Sequence, residues 1–309
     1  MAERGSLFGQ HLVFEDVEAG IPEGTGGEHV GRQGGHRDFP FSPAKLGGGA
    51  FEGYASTTAI ANSSDVNRPG LLQVLGDTTF ENVYLEHREP EPLYREAIDL
   101  LVDYQRRVHL DSARDCICWD KQFDAELLRW ELDHYTEWGI DALHGRERLD
   151  PMRDEVGALF DRIVTRLLEL PQTLSLRDYQ SRNIMKKGDE WVIIDFQDAL
   201  HGPFIYDLVA LLRDSYIELP PDMVDRLVAY YAAQDLPWCE NAADVAQAFH
   251  LQTVQRKLKD AGRFIFIDRV KGNPSFLPYY EPSLGYVKNA LRQLPEIGGS
   301  DLWDRGLMG

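Results

Sequence analysis

From Pro92 onward the apolar residues recur at a helical step. Leu93, Ala97, Leu100, Leu101, Tyr104 and Val108 stand three or four residues apart, so they share one face and predict an amphipathic helix. Phe123 to Trp138 repeats the pattern through Leu127, Leu128, Leu132 and Tyr135. Asp150 and Pro151 read as an N-cap and first-turn proline, opening a third helix through Val156, Phe160, Ile163 and Leu167. Tyr206 to Asp214, Met223 to Ala233 and Ala242 to Lys259 predict three more, the last stopped by Gly262. Two short apolar runs interrupt this series. One precedes Asp178 and the other, Trp191 to Ile194, precedes Asp195, and both read as strands. The expectation is an α+β chain whose carboxy-terminal two thirds is mainly helical around a small strand pair.

The amino-terminal portion lacks that order. Residues 1–69 are rich in Gly, Pro and polar residues, and EAGIPEGTGGEHVGRQGG has almost no apolar periodicity, which predicts a poorly ordered or degenerate region. Within it, YASTTAIANSSDVN offers one short strand-like run. Leu71 to Val74 reads as a further strand, and Gly76-Asp77 begins the crossing to the helical part. The expected organisation is 1–69 as the irregular region, 70–90 as a hinge, 91–300 as the helical lobe and 301–309 as a tail.

Composition narrows the classes of function. With 309 residues, 43% of them hydrophobic and 11% aromatic, the chain can bury a core of its own. A net charge of −19 argues against a nucleic-acid groove or an anionic membrane surface, both of which reward a basic face. No apolar run approaches a membrane span, and MAERGSLFGQH has no signal-peptide core, so the expectation is a cytoplasmic protein acting on small molecules. Cys116, Cys118 and Cys239 are too few for a disulfide framework, and Cys116-x-Cys118 has the wrong spacing for a zinc knuckle.

Candidate chemistry concentrates between Leu174 and Leu212. Asp178 follows the first strand, Asn183 comes five residues later on the same loop, and Asp195 follows the second strand. A strand, a loop and a strand can bring the three together. Metal-dependent phosphoryl transfer needs such a set: one carboxylate to orient or deprotonate the accepting hydroxyl, and an amide oxygen plus a second carboxylate to hold Mg²⁺. An isolated Asp on a loop is usually a turn former or cap. The ordered set is far less common by chance.

The run D-x-x-x-x-N followed by an apolar strand and D-F resembles the catalytic and metal-binding segments of the protein kinase-like fold. Gln197, Asp198, Gly202 and Tyr206-Asp207-Leu208 then make it similar to the aminoglycoside phosphotransferase and choline kinase branch. RDYQSRN and DFQDALHGP look most like bacterial cell-wall amino-sugar kinases acting on N-acetylmuramate and N-acetylglucosamine. The resemblance spans about Gly70 to Leu294.

What it implies is a bilobal kinase-like fold with a reduced or degenerate amino-terminal lobe, using ATP and Mg²⁺ on a sugar hydroxyl. Asp178 becomes the catalytic carboxylate, and Asn183 and Asp195 the metal ligands. Leu72, Gln73, Val74 and Arg182 fall on the nucleotide side. Asp198, Gln255 and Arg256 are acceptor candidates, Arg256 as partner for the lactyl carboxylate of N-acetylmuramate. A solvated basic helix face is the competing reading of Arg256 and its neighbours. Asp207 is placed to cap backbone donors or brace the catalytic loop. No protein partner is implied.

The chain also departs from the pattern. Leu176 stands where the family usually has His, removing a hydrogen-bonding support of the loop. His36-Arg37-Asp38 imitates the missing signature without the Asn or the following strand. Gly47 to Gly53 is the best Gly-rich candidate, more in keeping with a linker, and no phosphate-binding cation is evident before Arg68. Two other readings therefore stand beside the sugar kinase: a kinase-like binding module without turnover, and a phosphotransferase for aminoglycoside or choline-type acceptors.

Overall fold

The computed structural model describes residues 59–62, 71–110 and 117–308. His36-Arg37-Asp38, Gly47 to Gly53 and the disorder expected over most of residues 1–69 lie outside that range. The chain divides between Asp77 and Thr78. Before the division, β1 (Ala59–Asn62) pairs antiparallel with β2 (Leu71–Val74), with Ala59 opposite Val74. Both strands expected there are present.

After the division the helices dominate. The described α-helices of seven or more residues are α1 (Phe80–Glu86), α2 (Pro90–Leu110), α3 (Ala125–His134), α4 (Arg153–Leu168), α5 (Tyr206–Leu212), α6 (Pro221–Ala232), α7 (Ala242–Lys271) and α8 (Tyr280–Leu291). The apolar stripe read from Leu93 to Val108 is the buried face of α2, with Leu93, Ala97, Leu101, Tyr104 and Val108 all enclosed. Two pairs of antiparallel strands sit among the helices. β3 (Gln172–Ser175) pairs with β6 (Leu200–Pro203), and β4 (Ile184–Lys187) with β5 (Glu190–Ile193). This is an α+β fold with a mainly helical large unit.

Two apolar cores hold that unit together. One joins α2, α5 and α6 beneath β3, and the other joins α3, α4, α7 and α8. The site loop between β3 and β4 lies over the first, because Leu174, Leu176 and Tyr179 all point into it. Tyr179 is anchored further by a 2.7 Å bond from its hydroxyl to the Ala97 carbonyl on α2.

Several boundaries differ from the sequence reading. Asp150 is not an N-cap: it begins a 3₁₀ turn, Asp150–Met152, and its carboxylate pairs with Arg153 at 2.8 Å. Gly262 does not stop α7, which runs on to Lys271 and ends at Gly272 in the left-handed conformation, φ 65°. Gly262 serves packing instead. A Cβ there would lie 2.8 Å from Tyr135 Cα and 2.9 Å from the His134 carbonyl, so only glycine lets α7 approach α3 so closely. At that crossing α3 gives way to a π-helical segment, Tyr135–Asp141. Residues 301–308, set apart as a tail, pack into the second core through Leu302, Trp303 and Leu307.

Candidate active site

The loop leaving β3 is shaped by its backbone. Arg177 has φ 67° and Asp195 has φ 61°, the two non-glycine residues with positive φ among the described residues. Such conformations cost about 1–3 kcal/mol and persist where the surroundings over-determine them, often at functional sites. Arg177 immediately precedes Asp178, and Asp195 is itself one of the residues singled out for chemistry.

Those residues converge. The Asn183 side-chain amide donates to the Asp178 carbonyl at 2.9 Å and reaches Asp195 Oδ2 at 3.4 Å, so one side chain ties the loop to the segment after β5. The backbone does the same, through Ile194 N–H and the Asn183 carbonyl at 3.0 Å. Asp195 is exposed, and its Oδ1 accepts from Gln197 Nε2 at 2.6 Å. The Asp178 side chain keeps 44% of its surface open, which leaves its carboxylate accessible to an incoming hydroxyl. The amide nitrogen of Asn183 is the end that meets both the Asp178 carbonyl and Asp195 Oδ2. The Asp195 carboxylate and the Asn183 amide oxygen are the hard donors that this cluster could offer Mg²⁺, which is commonly held by one or two protein ligands with phosphates and water completing the shell.

Beneath the loop is a buried polar network. Asp207, 1% exposed, accepts from Leu176 N–H at 2.8 Å and from the Ser175 hydroxyl at 3.0 Å. It therefore braces the loop and does not cap its own helix, α5, which has no side-chain cap. Burial pushes its carboxyl up to about 6, against the pull of Leu176, Ser175 and Arg256. Asp214 braces the other end, accepting from Ser181 N–H at 2.8 Å and Tyr216 N–H at 3.0 Å.

Cations and amides from α3 and α7 complete the network. Arg256 is 1% exposed, and its Nη1 donates to the Arg177 carbonyl at 2.9 Å. Its Nη2 lies 3.8 Å from Asp178 Oδ1, and the guanidinium sits 4.9 Å from the centre of the Tyr206 ring. Gln255, also fully buried, donates to Glu131 Oε2 at 2.7 Å. Glu131 Oε1 in turn receives Arg177 Nη2 at 3.2 Å. A solvated basic face is thus ruled out for this part of α7. Lys257 donates to Ser215 at 2.8 Å and to Asp260 at 3.0 Å. Burial opposes ionisation of Asp260, but Lys257, Lys259 and Arg256 outweigh it and hold the carboxyl well below the usual range.

The remaining sequence candidates scatter. Asp198 is half-buried and, with Tyr206, Glu131 and Asp178, offsets the burial that would pull Arg177 down. Arg182 is committed to Glu81 on α1 through bonds of 2.7 and 3.1 Å, and lies 3.5 Å over the Tyr216 ring. Leu72, Gln73 and Val74 belong to β2, in the other unit. Glu131 and Ser175 were not singled out in the sequence, and Gln197 was named there only as part of the resemblance, with no role assigned to it. Asp214 was read only as the end of the helical pattern Tyr206 to Asp214.

A mainly helical unit with small antiparallel sheets, in which Asp178 and Asn183 on the β3–β4 loop meet Asp195 just after β5, has a kinase-like fold. Residues 70–241 match the family described as phosphotransferase enzyme family. The chain belongs to that family. It is 32% identical over 234 residues to an N-acetylmuramate/N-acetylglucosamine kinase of Neisseria meningitidis, covering 74% of this chain and 68% of that protein. It is 29% identical over 231 residues to a protein of the same name from Pseudomonas aeruginosa, covering 74% and 66%. The chain thus spans about two thirds of the length of these relatives. Among solved structures, a choline/ethanolamine kinase family protein from Mesorhizobium loti superimposes with a TM-score of 0.52 at 14% identity, over 79% of this chain and 80% of that one. At that identity the likeness concerns the fold.

Proposed function

We propose that the chain is an ATP- and Mg²⁺-dependent kinase that phosphorylates an amino sugar, with N-acetylmuramate and N-acetylglucosamine the first acceptors to consider. The observation that carries this reading is the Asn183 side chain, which reaches both the Asp178 backbone and the Asp195 carboxylate. The names of the relatives supply the acceptor class. A cytoplasmic place in cell-wall recycling follows from the same likeness. No described helix is long and apolar enough to cross a membrane.

In this reading Asp178 accepts a hydrogen bond from the sugar hydroxyl, turns its oxygen towards the phosphorus and takes its proton as transfer proceeds. Asn183 and Asp195 would hold Mg²⁺, which when bound neutralises charge on the triphosphate. Gln197 fixes the orientation of Asp195, and the loop braces keep Asp178 from turning away. Leu72, Gln73 and Val74 would meet the adenine. Arg182, tied to Glu81, would shape the nucleotide side without lending its charge, and Asp198 would face the acceptor. Positioning is the main contribution expected of the protein in this chemistry.

Two variants separate the roles. Asp178→Asn lowers turnover by about 10²-fold or more while leaving nucleotide affinity nearly unchanged, since a general-base group contributes about 10²–10⁴. Asp195→Ala weakens nucleotide binding in the presence of Mg²⁺ and not in its absence, as calorimetry with and without the ion would read. Full activity in Asp178→Asn, or parent nucleotide binding indifferent to Mg²⁺, would remove this assignment.

A further inference from the structure

The carbonyl of Arg177 immediately precedes Asp178, and it is presented by a residue at φ 67°. Two partners oppose relaxation of that turn. Glu131 takes the Arg177 side chain at 3.2 Å, and Arg256 takes the Arg177 carbonyl at 2.9 Å. The second partner comes from α7, a 30-residue helix packed in the second core, and lies 79 residues away in sequence. A rigid element thus grips the loop at the peptide bond that aims Asp178.

We propose that Arg256 is a positioning residue for phosphoryl transfer, supplying through Arg177 the loop support that the apolar Leu176 does not. The inference rests on the amino-sugar kinase reading, and it replaces the assignment of Arg256 to an acceptor carboxylate. Its guanidinium is 1% exposed and stands over the Tyr206 ring, so the face that an acceptor would approach is already covered. The 3.8 Å separation from Asp178 Oδ1 exceeds a hydrogen bond. Arg256 therefore leaves the carboxylate's own hydrogen bonds to the acceptor and holds it by charge and by the backbone beside it.

The neighbours have other work. Lys257 is engaged by Ser215 and Asp260, Gln255 by Glu131, and Asp207 by the Ser175 hydroxyl and the Leu176 amide. The planar, multiply donating guanidinium can serve a carbonyl, a ring face and a carboxylate together, which an ammonium cannot reproduce. Leu176 itself is buried among apolar residues; its N–H meets Asp207 and its carbonyl accepts from Asp178 N–H at 2.9 Å, while its side chain gives the loop no hydrogen bond.

The test compares Arg256→Lys and Arg256→Gln with the parent, in steady-state kinetics on N-acetylmuramate and on N-acetylglucosamine under saturating Mg·ATP. Amide exchange over residues 175–180 is followed in parallel. A positioning role lowers kcat on the carboxylate-bearing and the neutral sugar alike, by about 10²-fold in Arg256→Gln and less in Arg256→Lys, because a displacement of about 1 Å can cost that much. KM stays within about threefold on both. Exchange over 175–180 quickens while exchange in α4 does not. A rise in KM confined to N-acetylmuramate with kcat retained would overturn the proposal in favour of carboxylate binding. Parental kcat in both variants, or unchanged loop exchange, would also overturn it. If the parent phosphorylates neither sugar, the amino-sugar reading fails by itself, and loop exchange in Arg256→Gln then decides whether the brace exists.

Discussion

Asp207 illustrates how a single buried carboxylate can serve a site it never touches. It holds Ser175 and the Leu176 amide from below, and burial raises its carboxyl from 3.8 to about 6. The folded chain then binds this proton more tightly than the unfolded chain, so between those two values stability falls as pH rises. Asp207→Asn removes the titration while keeping an acceptor for the amide. Its stability relative to the parent should therefore improve as pH rises from about 4 to about 6, the window set by these two values. Denaturant midpoints at several pH values would read the trend, and a difference that stays flat with pH would contradict it. At this scale the sequence was legible where spacing is local. Asp178, Asn183 and Asp195 lie within a few residues of strand ends, so pattern alone brought them together. Bracing the loop was one of the two roles read for Asp207, whereas the Arg256 and Gln255 contacts were hidden because they join partners 79 and 124 residues apart, and no periodicity encodes such pairings.

Among the elements, α7 shows why a glycine in a helical pattern has two meanings. Read along the sequence, Gly262 marks a stop. In the fold it marks contact, because the helix continues and the missing Cβ admits the His134–Tyr135 backbone. Gly262→Ala should destabilise the protein by about 1–3 kcal/mol, the usual cost of forcing atoms into a packed interface. Gly285 on α8 is the control. Nothing lies within 4 Å of a Cβ there, so Gly285→Ala should be neutral or stabilise by up to about 1 kcal/mol through helix propensity. Equal effects at the two positions would refute the close-approach account. The helices themselves were readable from the apolar period, while their ends were not, since Asp150 and Gly262 carry cap-like chemistry that tertiary packing turned to other uses.

For the whole molecule, charge is distributed unevenly. A chain of net charge −19 gathers Arg177, Arg256 and Lys257 beneath one loop, each held by a carboxylate, a carbonyl or a hydroxyl. That concentration is the opposite of a nucleic-acid face, because the cations are turned inward. They stiffen the support of an accessible acidic cluster, and in the proposed reading they leave its negative charge to face Mg²⁺. The family of the chain was legible from one stretch of under forty residues, because the candidate transfer residues and the strands that place them are contiguous there. An acceptor could be proposed only through likeness, since the side chains of α3 and α7 that surround the loop reach it through the fold. The measurement that tests the central claim most directly is phosphoryl transfer by the full chain with Mg·ATP, offered N-acetylmuramate, N-acetylglucosamine, aminoglycosides and choline, with ADP release and the phosphorylated product both followed. The account predicts transfer to the amino sugars, lost in Asp178→Asn. Transfer to choline or an aminoglycoside in preference, or no transfer to any acceptor, would contradict it.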